Sequence, residues 1–172
     1  MAIIRATESD VNVICGIGKL SVAESHKGSC SDEHMNEYLV KNYSNDAIDK
    51  DLSDPTNHYY IVTCNDKVAG FSKIVFNAEH LNVDYKNAAK LDRIYLLKEF
   101  IGLKLGLELL NFNIELARKN NQSCVWLYTW IGNENAINFY LKSGFKVVGE
   151  HKFYINETHY DVSHQMVLKL SQ

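Results

Sequence analysis

The alternation of strand and helix patterns in the second half of the chain constrains the fold most. Residues 90–97 favour a strand, and 103–117 carry leucine and isoleucine at helical spacing. Residues 123–130 mix apolar and aromatic side chains, as a central strand does, and 133–143 form a helix that ends before Gly144. This order predicts β-α-β units. Both helices would then begin at one edge of the sheet, where ligands bind to such folds.

The first half adds antiparallel strands and further helices to this sheet. The β-forming runs 58–64 and 67–77 flank the turn signal Asn65-Asp66, which predicts a hairpin. We therefore expect an α/β (α+β) fold, a mixed central β-sheet with helices on both faces. The other predicted elements are strands 2–6, 145–155 and 164–170, and helices 7–20, 31–43 and 45–52. Because the chain has 172 residues, one proline and no repeat, we expect a single domain over 1–172.

Composition excludes several functional classes. The net charge of −3 comes with no basic stripe, so we expect no nucleic-acid partner. No apolar run is long enough to span a bilayer, so we expect no membrane partner. Four scattered cysteines without a CxxC pair, and no secretory signal, indicate a reducing cytoplasmic location. The seven histidines lack metal-ligand spacing, so we expect no metal.

The stretch "LLKEFIGLKLGLELL" (96–110) predicts an anion site. Gly102 and Gly106 frame the beginning of a helix, where free backbone N–H groups and the helix dipole attract negative charge. Glycines let a phosphate approach the backbone closely. The alternative is that the two glycines only ease a tight turn.

The stretch "NENAINFYLKSGF" (133–145) places amides and a phenol on one side of a short helix. Asn133 and Asn135 lie in its first turn, and Tyr140 follows two turns later. These side chains could face a ligand in the crevice between the two parallel strands. Asn133 could instead serve only as a helix cap, and Tyr140 only as a core residue.

The same stretch resembles the N-x-x-A-x-x-x-Y-x-x-x-G-F helix of the GCN5-related N-acetyltransferases (GNAT). Asn133, Ala136, Tyr140, Gly144 and Phe145 are all in register with that motif. "IYLLKEFIGLKLGLELL" resembles the strand, loop and helix with which this family holds the diphosphate of acetyl-CoA. Within the family, "LDRIYLLKEF", "VWLYTWIGNENAINFY" and "HQMVLKL" look most like the bacterial spermidine/spermine N-acetyltransferase branch.

The resemblance implies a GNAT fold with a V-shaped splay between the fourth and fifth strands, and acetyl-CoA as cosubstrate in that splay. The family's loop reads Q/R-x-x-G-x-G/A, where this chain has Ile101, Lys104 and Gly106. We expect Lys104 to lie inside a helical turn, where its ammonium could contact a phosphate. The implied cofactor-binding residues are Ile94, Tyr95, Leu96, Ile101, Gly102, Leu103, Lys104, Leu105, Gly106, Leu107, Asn133, Asn135 and Tyr140.

The resemblance also implies transfer of an acetyl group to a primary amine of a small molecule, for which this branch suggests a polyamine. Tyr140 would protonate the leaving thiolate, and Asp92 would be the general base. Alternatively, Asp92 forms a salt bridge with Arg93 or Lys90. Candidate substrate contacts are Glu24, His26, Glu33, Tyr38, Trp130 and Tyr154, although each could be an ordinary surface or core residue.

Two rival functions remain open at this level. The acceptor could be an amine of a protein or peptide, or the chain could be a non-catalytic acyl-CoA-binding regulatory module. Because exposed C-terminal strands often pair, we also expect a homodimer.

Overall fold

The structure, a computed structural model, describes residues 1–80, 82–157 and 159–170. Its strands are β1 (Ala2–Arg5), β2 (Asn57–Cys64), β3 (Lys67–Val75), β4 (Ala88–Leu96), β5 (Cys124–Trp130), β6 (Lys146–Tyr154) and β7 (Tyr160–Lys169). Its α-helices are α1 (Val11–Ser25), α2 (Asp32–Tyr43), α3 (Asn45–Ser53), α4 (Leu105–Lys119) and α5 (Glu134–Lys142). Short 3₁₀ turns at Glu8–Asp10 and Lys98–Phe100 precede α1 and α4.

The strands form one seven-stranded sheet in the order β1-β2-β3-β4-β5-β7-β6. β4 and β5 pair in parallel, and the other neighbours pair antiparallel. The predicted β2–β3 hairpin turns at Asn65 and Asp66, which both have positive φ as a tight hairpin turn requires. The expected fold class, a mixed sheet with the GNAT layout, is confirmed.

Helices cover both faces of the sheet because alternate residues of each strand point to opposite sides. On one face, Phe71 of β3 packs with Ile14 of α1 and Ile48 of α3. On the other face, Ile74 of β3 packs with Leu110 of α4, and Tyr140 of α5 belongs to the same cluster. β3 is therefore buried from both sides.

β4 and β5 separate soon after they begin. They pair only from Ala88 to Lys90, opposite 124–126. Immediately afterwards the β3–β4 register shifts: Ile74 pairs with Leu91, whereas Lys73 pairs with Arg93. Asp92 is therefore an extra residue on β4, a bulge that bends the strand and increases its twist. The predicted V-shaped splay begins at this bulge.

Several predicted boundaries differ from the structure, and three of the differences have a clear physical cause. α1 continues to Ser25 rather than ending near residue 20, because Ser21 and Val22 are still buried against the sheet. α4 begins at Leu105 rather than at 103, since Gly102 and Lys104 adopt positive φ. β7 begins at Tyr160 rather than at 164, because residues 160–163 pair with β6.

β6 forms one edge of the sheet, and Val147 and Val148 on it are exposed. It is the exposed C-terminal strand on which the expectation of a homodimer rests, and the homodimer stays a prediction. Within 1–80, 82–157 and 159–170, no helix has the length and apolar character needed to cross a membrane.

Candidate active site

A cavity of about 1410 Å³ lies where β4 and β5 diverge, and we call it the larger cavity. The ends of β4 and α5 and the loop before α4 form its walls. Every predicted cofactor residue lines it except Leu103 and Leu105. Leu103 is exposed beside the cavity, and the Leu105 side chain is buried in the core under α4. The splay is therefore open space rather than packed interior.

The open edge of β4 presents backbone groups to this cavity. The Leu97 N–H donates to the Ala69 carbonyl of the β3 side over 2.9 Å. Because successive residues of a strand point their backbone groups in alternate directions, the N–H and C=O groups of Leu96 and Ile94 point toward the gap. Ser21 of α1 donates to the Leu96 carbonyl over 3.2 Å. An extended ligand could pair with this edge as an added strand.

The anion site predicted from the glycine spacing would lie at the beginning of α4. The first amides of the helix, including those of Leu105 and Gly106, have no earlier carbonyl within the helix to pair with. Gly102 has a φ of +91°, and a Cβ built there would meet nothing within 4 Å. The backbone is therefore accessible at the point where the helix dipole is positive.

Lys104 is not inside a helical turn, so that expectation is wrong. It is the residue before α4, with a φ of +63° and ψ of 1°, the left-handed conformation. Its carbonyl accepts hydrogen bonds from Leu107 and Glu108 over 3.0 and 3.1 Å. A glycine adopts this conformation without steric cost, which explains why the family motif has glycine at this position. Lys104 lines the larger cavity.

Asn133 and Asn135 lie at the start of α5, and both line the larger cavity. The Oδ1 atom of Asn133 accepts a hydrogen bond from the Ala136 N–H over 3.1 Å, so Asn133 also caps the helix. The capping alternative is therefore what the structure shows, and a contact of Asn133 with a ligand stays a prediction.

Tyr140 is 7% exposed, and its ring contacts Phe139 and Phe145 at centroid distances of 5.2 and 5.6 Å. Within the part of the chain that the structure describes, its hydroxyl makes no hydrogen bond. Burial, with a smaller contribution from Tyr95, raises the pKa of Tyr140 far above its usual range. The phenol therefore keeps its proton at neutral pH and is available as a donor to a ligand.

A second cavity of about 410 Å³, which we call the smaller cavity, adjoins the larger one. Residues of α1, α2, β4, β5 and the β6–β7 end line it. Both cavities are lined by Ile94, Tyr95 and Tyr140, together with Ser25, Trp130, Asn133 and Ala136. The two spaces therefore meet beside the Tyr140 phenol and the open edge of β4.

Asp92 lines the smaller cavity and is held in ion pairs. Its oxygens lie 2.6 Å from the Lys90 ammonium and 3.3 Å from the Lys73 ammonium. Burial raises the pKa of the Asp92 carboxyl, but the charges of Lys90, Lys73 and Arg93 outweigh that effect and lower the pKa to about 2. The alternative of a salt bridge describes what the structure shows, and Asp92 is a weak base in this state.

The structure brings together four of the six candidate substrate residues. His26, Tyr38, Trp130 and Tyr154 line the smaller cavity, and the His26 and Trp130 rings stack at 5.6 Å. Glu24 lies instead at the larger cavity, 3.9 Å from the Lys98 ammonium. Glu33 is exposed in the first turn of α2, where a carboxylate stabilises the helix, and it lines neither cavity.

Several residues of the smaller cavity escaped the sequence analysis as ligand contacts, among them Lys41 and Tyr128. Lys90 and Arg93 were considered only as partners of Asp92. The missed signal is a lysine, Lys73, inside the apolar strand 67–77, which indicates a buried ion pair. Among the described residues, no group of three or more His, Cys, Asp or Glu side chains could hold a metal ion.

Comparisons with known proteins agree with this geometry. The family model described as "Acetyltransferase (GNAT) family" matches residues 22–145. The chain is 31% identical over 156 residues to a protein of Lactobacillus delbrueckii subsp. lactis named as an uncharacterized N-acetyltransferase in the pepI 3′ region. The match covers 90% of each chain.

Solved structures share the fold at low sequence identity. The PaiA N-acetyltransferase of Thermoplasma acidophilum, determined in complex with coenzyme A, superposes with a TM-score of 0.76 at 20% identity over 99% of this chain and 100% of that one. The spermidine/spermine N-acetyltransferase SpeG of Vibrio cholerae has a TM-score of 0.65 at 14% identity over 98% and 91%. The polyamine branch is thus one neighbour among many. The family match and the extended similarity to the Lactobacillus protein together show that this chain belongs to the GNAT family and is an N-acetyltransferase with acetyl-CoA as its acetyl donor.

Proposed function

We propose that this enzyme transfers the acetyl group to a primary amine of a small molecule. The larger cavity would hold acetyl-CoA, and the smaller cavity the acceptor. The observation that carries the proposal is that the two cavities share Ile94, Tyr95 and Tyr140. A volume of about 410 Å³ is typical of a small-molecule site, which favours a small acceptor over a protein.

The residues of the larger cavity would fix the donor in place. The amides at the start of α4 and the Lys104 ammonium would bind the diphosphate, and the open edge of β4 would pair with the pantetheine chain. Of Tyr95 and Leu96, only Leu96 directs its N–H into the gap, so we assign the contact with the thioester carbonyl oxygen to Leu96. When bound, acetyl-CoA supplies an activated acetyl group.

Proton transfers complete the reaction. The acceptor nitrogen must be neutral to form the new C–N bond, and it loses a proton to a base as the C–S bond breaks. Tyr140, which stays protonated at neutral pH, would give its proton to the departing sulfur. The transfer would be direct, without an acyl-enzyme. The Ser25 hydroxyl lies 2.9 Å from Nδ1 of His26, but it donates to the Val22 carbonyl over 3.2 Å, so this contact does not activate it as a nucleophile.

Asp92 remains the proposed base, and His26 is a second candidate that the geometry favours. The Val22 carbonyl, which can only accept, lies 3.3 Å from Nδ1 of His26. With the proton on Nδ1, the lone pair of Nε2 is free. Burial lowers the pKa of His26, so the ring is neutral near pH 7. Asp92→Asn and His26→Gln separate the two: the variant that removes the base loses the part of the rise of kcat/KM with pH that the pKa of the acceptor amine does not explain, whereas the other variant keeps it.

Two measurements test the function. Calorimetry first measures acetyl-CoA binding, and absence of binding at high concentration would remove the enzyme proposal. An acetyl-CoA consumption assay then screens polyamines, amino acids, aminoglycosides and peptides. Binding without turnover of any of these acceptors would select the regulatory module, and turnover restricted to peptides would select the protein acetyltransferase. The four free cysteines support our proposal that the enzyme acts in the cytoplasm.

A further inference from the structure

The smaller cavity has the wrong charge for a polyamine. Its lining includes the cations Lys41, Lys90 and Arg93 against one carboxylate, Asp92. Its histidine, His26, has a lowered pKa because it is buried, and adds no charge at neutral pH. A polyamine carries several ammonium groups, which cations repel. The acidic side chains Glu24 and Glu33 lie elsewhere and cannot reverse this balance.

The residues behind the lining do not neutralise it either. Lys73 is 2.8 Å from Asp51 and 3.3 Å from Asp92, so it is shared between the two carboxylates. Arg93 donates to the Tyr59 hydroxyl over 2.8 Å and lies 3.8 Å from Asp51. The cluster around Asp92 therefore contains the cations Lys73, Lys90 and Arg93 and two anions, a net charge of +1 on largely buried groups. The buried carboxylate of Asp161 lies outside this cluster, beside His26 and 3.6 Å from His159. Buried charge is stable only when it is paired.

Lys90 is the cation of this cluster that is best placed to bind a ligand. Its ammonium contacts one carboxylate, Asp92, at 2.6 Å, and lies over the rings of Trp126 and Tyr128 at 5.4 and 5.6 Å. An ammonium has three donors, so this arrangement leaves donors for a further acceptor. Lys90 is 28% exposed, and Lys41 adds an exposed ammonium to the same cavity.

We propose that the acceptor of this enzyme carries a carboxylate beside its amine, as an amino acid does, and that Lys90 and Lys41 bind that carboxylate. The proposal rests on the proposed function and names its substrate class. The negative charge of the ligand carboxylate would bring the net charge of the cluster from +1 to zero. The aromatic walls, which include Tyr38, Tyr128 and Phe153, pack against the apolar body of such a molecule. The same cations favour the neutral form of the acceptor amine, which the reaction needs.

Matched pairs of acceptors that differ in a carboxylate test the proposal. Ornithine is compared with 1,4-diaminobutane, and phenylalanine with phenethylamine, by kcat/KM at saturating acetyl-CoA. Phenylalaninamide is the control for amine basicity, because it keeps an electron-withdrawing group but lacks the negative charge. We expect the carboxylate-bearing member to be preferred by about tenfold or more, the usual effect of one charge-assisted hydrogen bond. Equal or better use of the amine or the amide overturns the proposal.

Substitutions of the two lysines test whether they bind the carboxylate. Lys90→Met and Lys41→Met should each lower the preference ratio several-fold. Because the ratio is taken within one variant, a general loss of turnover cancels. Lys67→Met, in the distant β2–β3 hairpin, is the control and should leave the ratio unchanged. An unchanged ratio in both cavity variants contradicts the assignment.

A measurement of acceptor binding distinguishes failure of the carboxylate site from failure of the proposed acetyl transfer. The same pairs are titrated calorimetrically into the complex of the protein with CoA. Tighter binding of the amino acid, by about tenfold, supports the carboxylate site even when no acceptor is turned over. Tighter binding of the plain amine overturns it even when acetyl transfer is observed.

Discussion

Replacing Tyr140 with phenylalanine removes one hydroxyl and keeps the buried ring. The ring contacts with Phe139 and Phe145 survive, and the hydroxyl has no hydrogen-bond partner among the described residues. We therefore expect the free energy of unfolding to change by less than about 0.5 kcal/mol. If the hydroxyl gives its proton to the sulfur, the loss falls on the chemical step.

The size of that loss follows from the role of the hydroxyl. General acid catalysis contributes about 10²–10⁴ to a rate, so kcat should fall at least about 100-fold, or about 2.7 kcal/mol. The KM for acetyl-CoA should change less than about threefold, because the proposed diphosphate and pantetheine contacts lie on α4 and β4.

Steady-state kinetics with thiol detection of released CoA measures both parameters. Tyr60→Phe is the matched control: this tyrosine packs against Phe112 and lines neither cavity, so its loss should leave kcat unchanged. A thermal melt checks that both variants are folded. Equal factors in kcat and KM, or a lowered melting temperature, would refute the acid role and show that Tyr140 acts by packing.

Three further predictions concern stability and cofactor binding. Lys104→Gly should relieve the left-handed backbone, stabilise the protein by about 0.5–1 kcal/mol in a denaturant titration, and weaken acetyl-CoA binding a few-fold in calorimetry. The Asp92 pKa, lowered from 3.8 to about 2, corresponds to about 2 kcal/mol of stability that is present above pH 4 and lost as the pH falls toward 2. Asp92→Asn should therefore lose that stability at pH 7, and the urea concentration at its unfolding midpoint should fall less steeply as the pH is lowered from 4 toward 2. An unchanged pH dependence would contradict the ion pairs. Gly70→Ala should cost more than about 2 kcal/mol and displace β4, because its Cβ would lie 2.1 Å from the Tyr95 carbonyl oxygen. Gly16 lies on the exposed side of α1, and a Cβ built there would meet nothing within 4 Å, so Gly16→Ala should stabilise the protein by up to about 1 kcal/mol. Similar effects of Gly16→Ala and Gly70→Ala would speak against the close approach at β4.

The order of elements was predictable because periodicity and turn residues are local signals. The alternation of strands and helices fixed the parallel β4–β5 pair, and Asn65-Asp66 fixed the hairpin. Spacing also placed Tyr140 beside the crevice. The end of α1 was not predictable, because tertiary burial of Val22 extends the helix beyond its local pattern.

The acceptor side of the site depends on long-range contacts and was harder to predict. Asp51 and Lys73 are 22 residues apart in the chain and meet only when α3 packs on the sheet. The conformation of Lys104 depends on how the loop joins β4 to α4, which the glycine spacing did not reveal. The bulge at Asp92 arises from pairing with β3 and leaves no pattern in β4 itself.

That bulge has a consequence for how this enzyme can change. One extra residue both parts β4 from β5 and turns Asp92 toward the face of Lys90 and Arg93, with which it pairs. Deleting it would restore regular pairing and leave the neighbouring side chains on their present faces, because Leu91 and Arg93 already pair with adjacent residues of β3. It would remove the bend and the Asp92 carboxylate together. The splay between β4 and β5 and the charge of the smaller cavity thus depend on the same residue, and a mutation cannot change one without the other. New acceptor preferences should therefore arise through α1, α2 and the β6–β7 end, while β4 keeps its length.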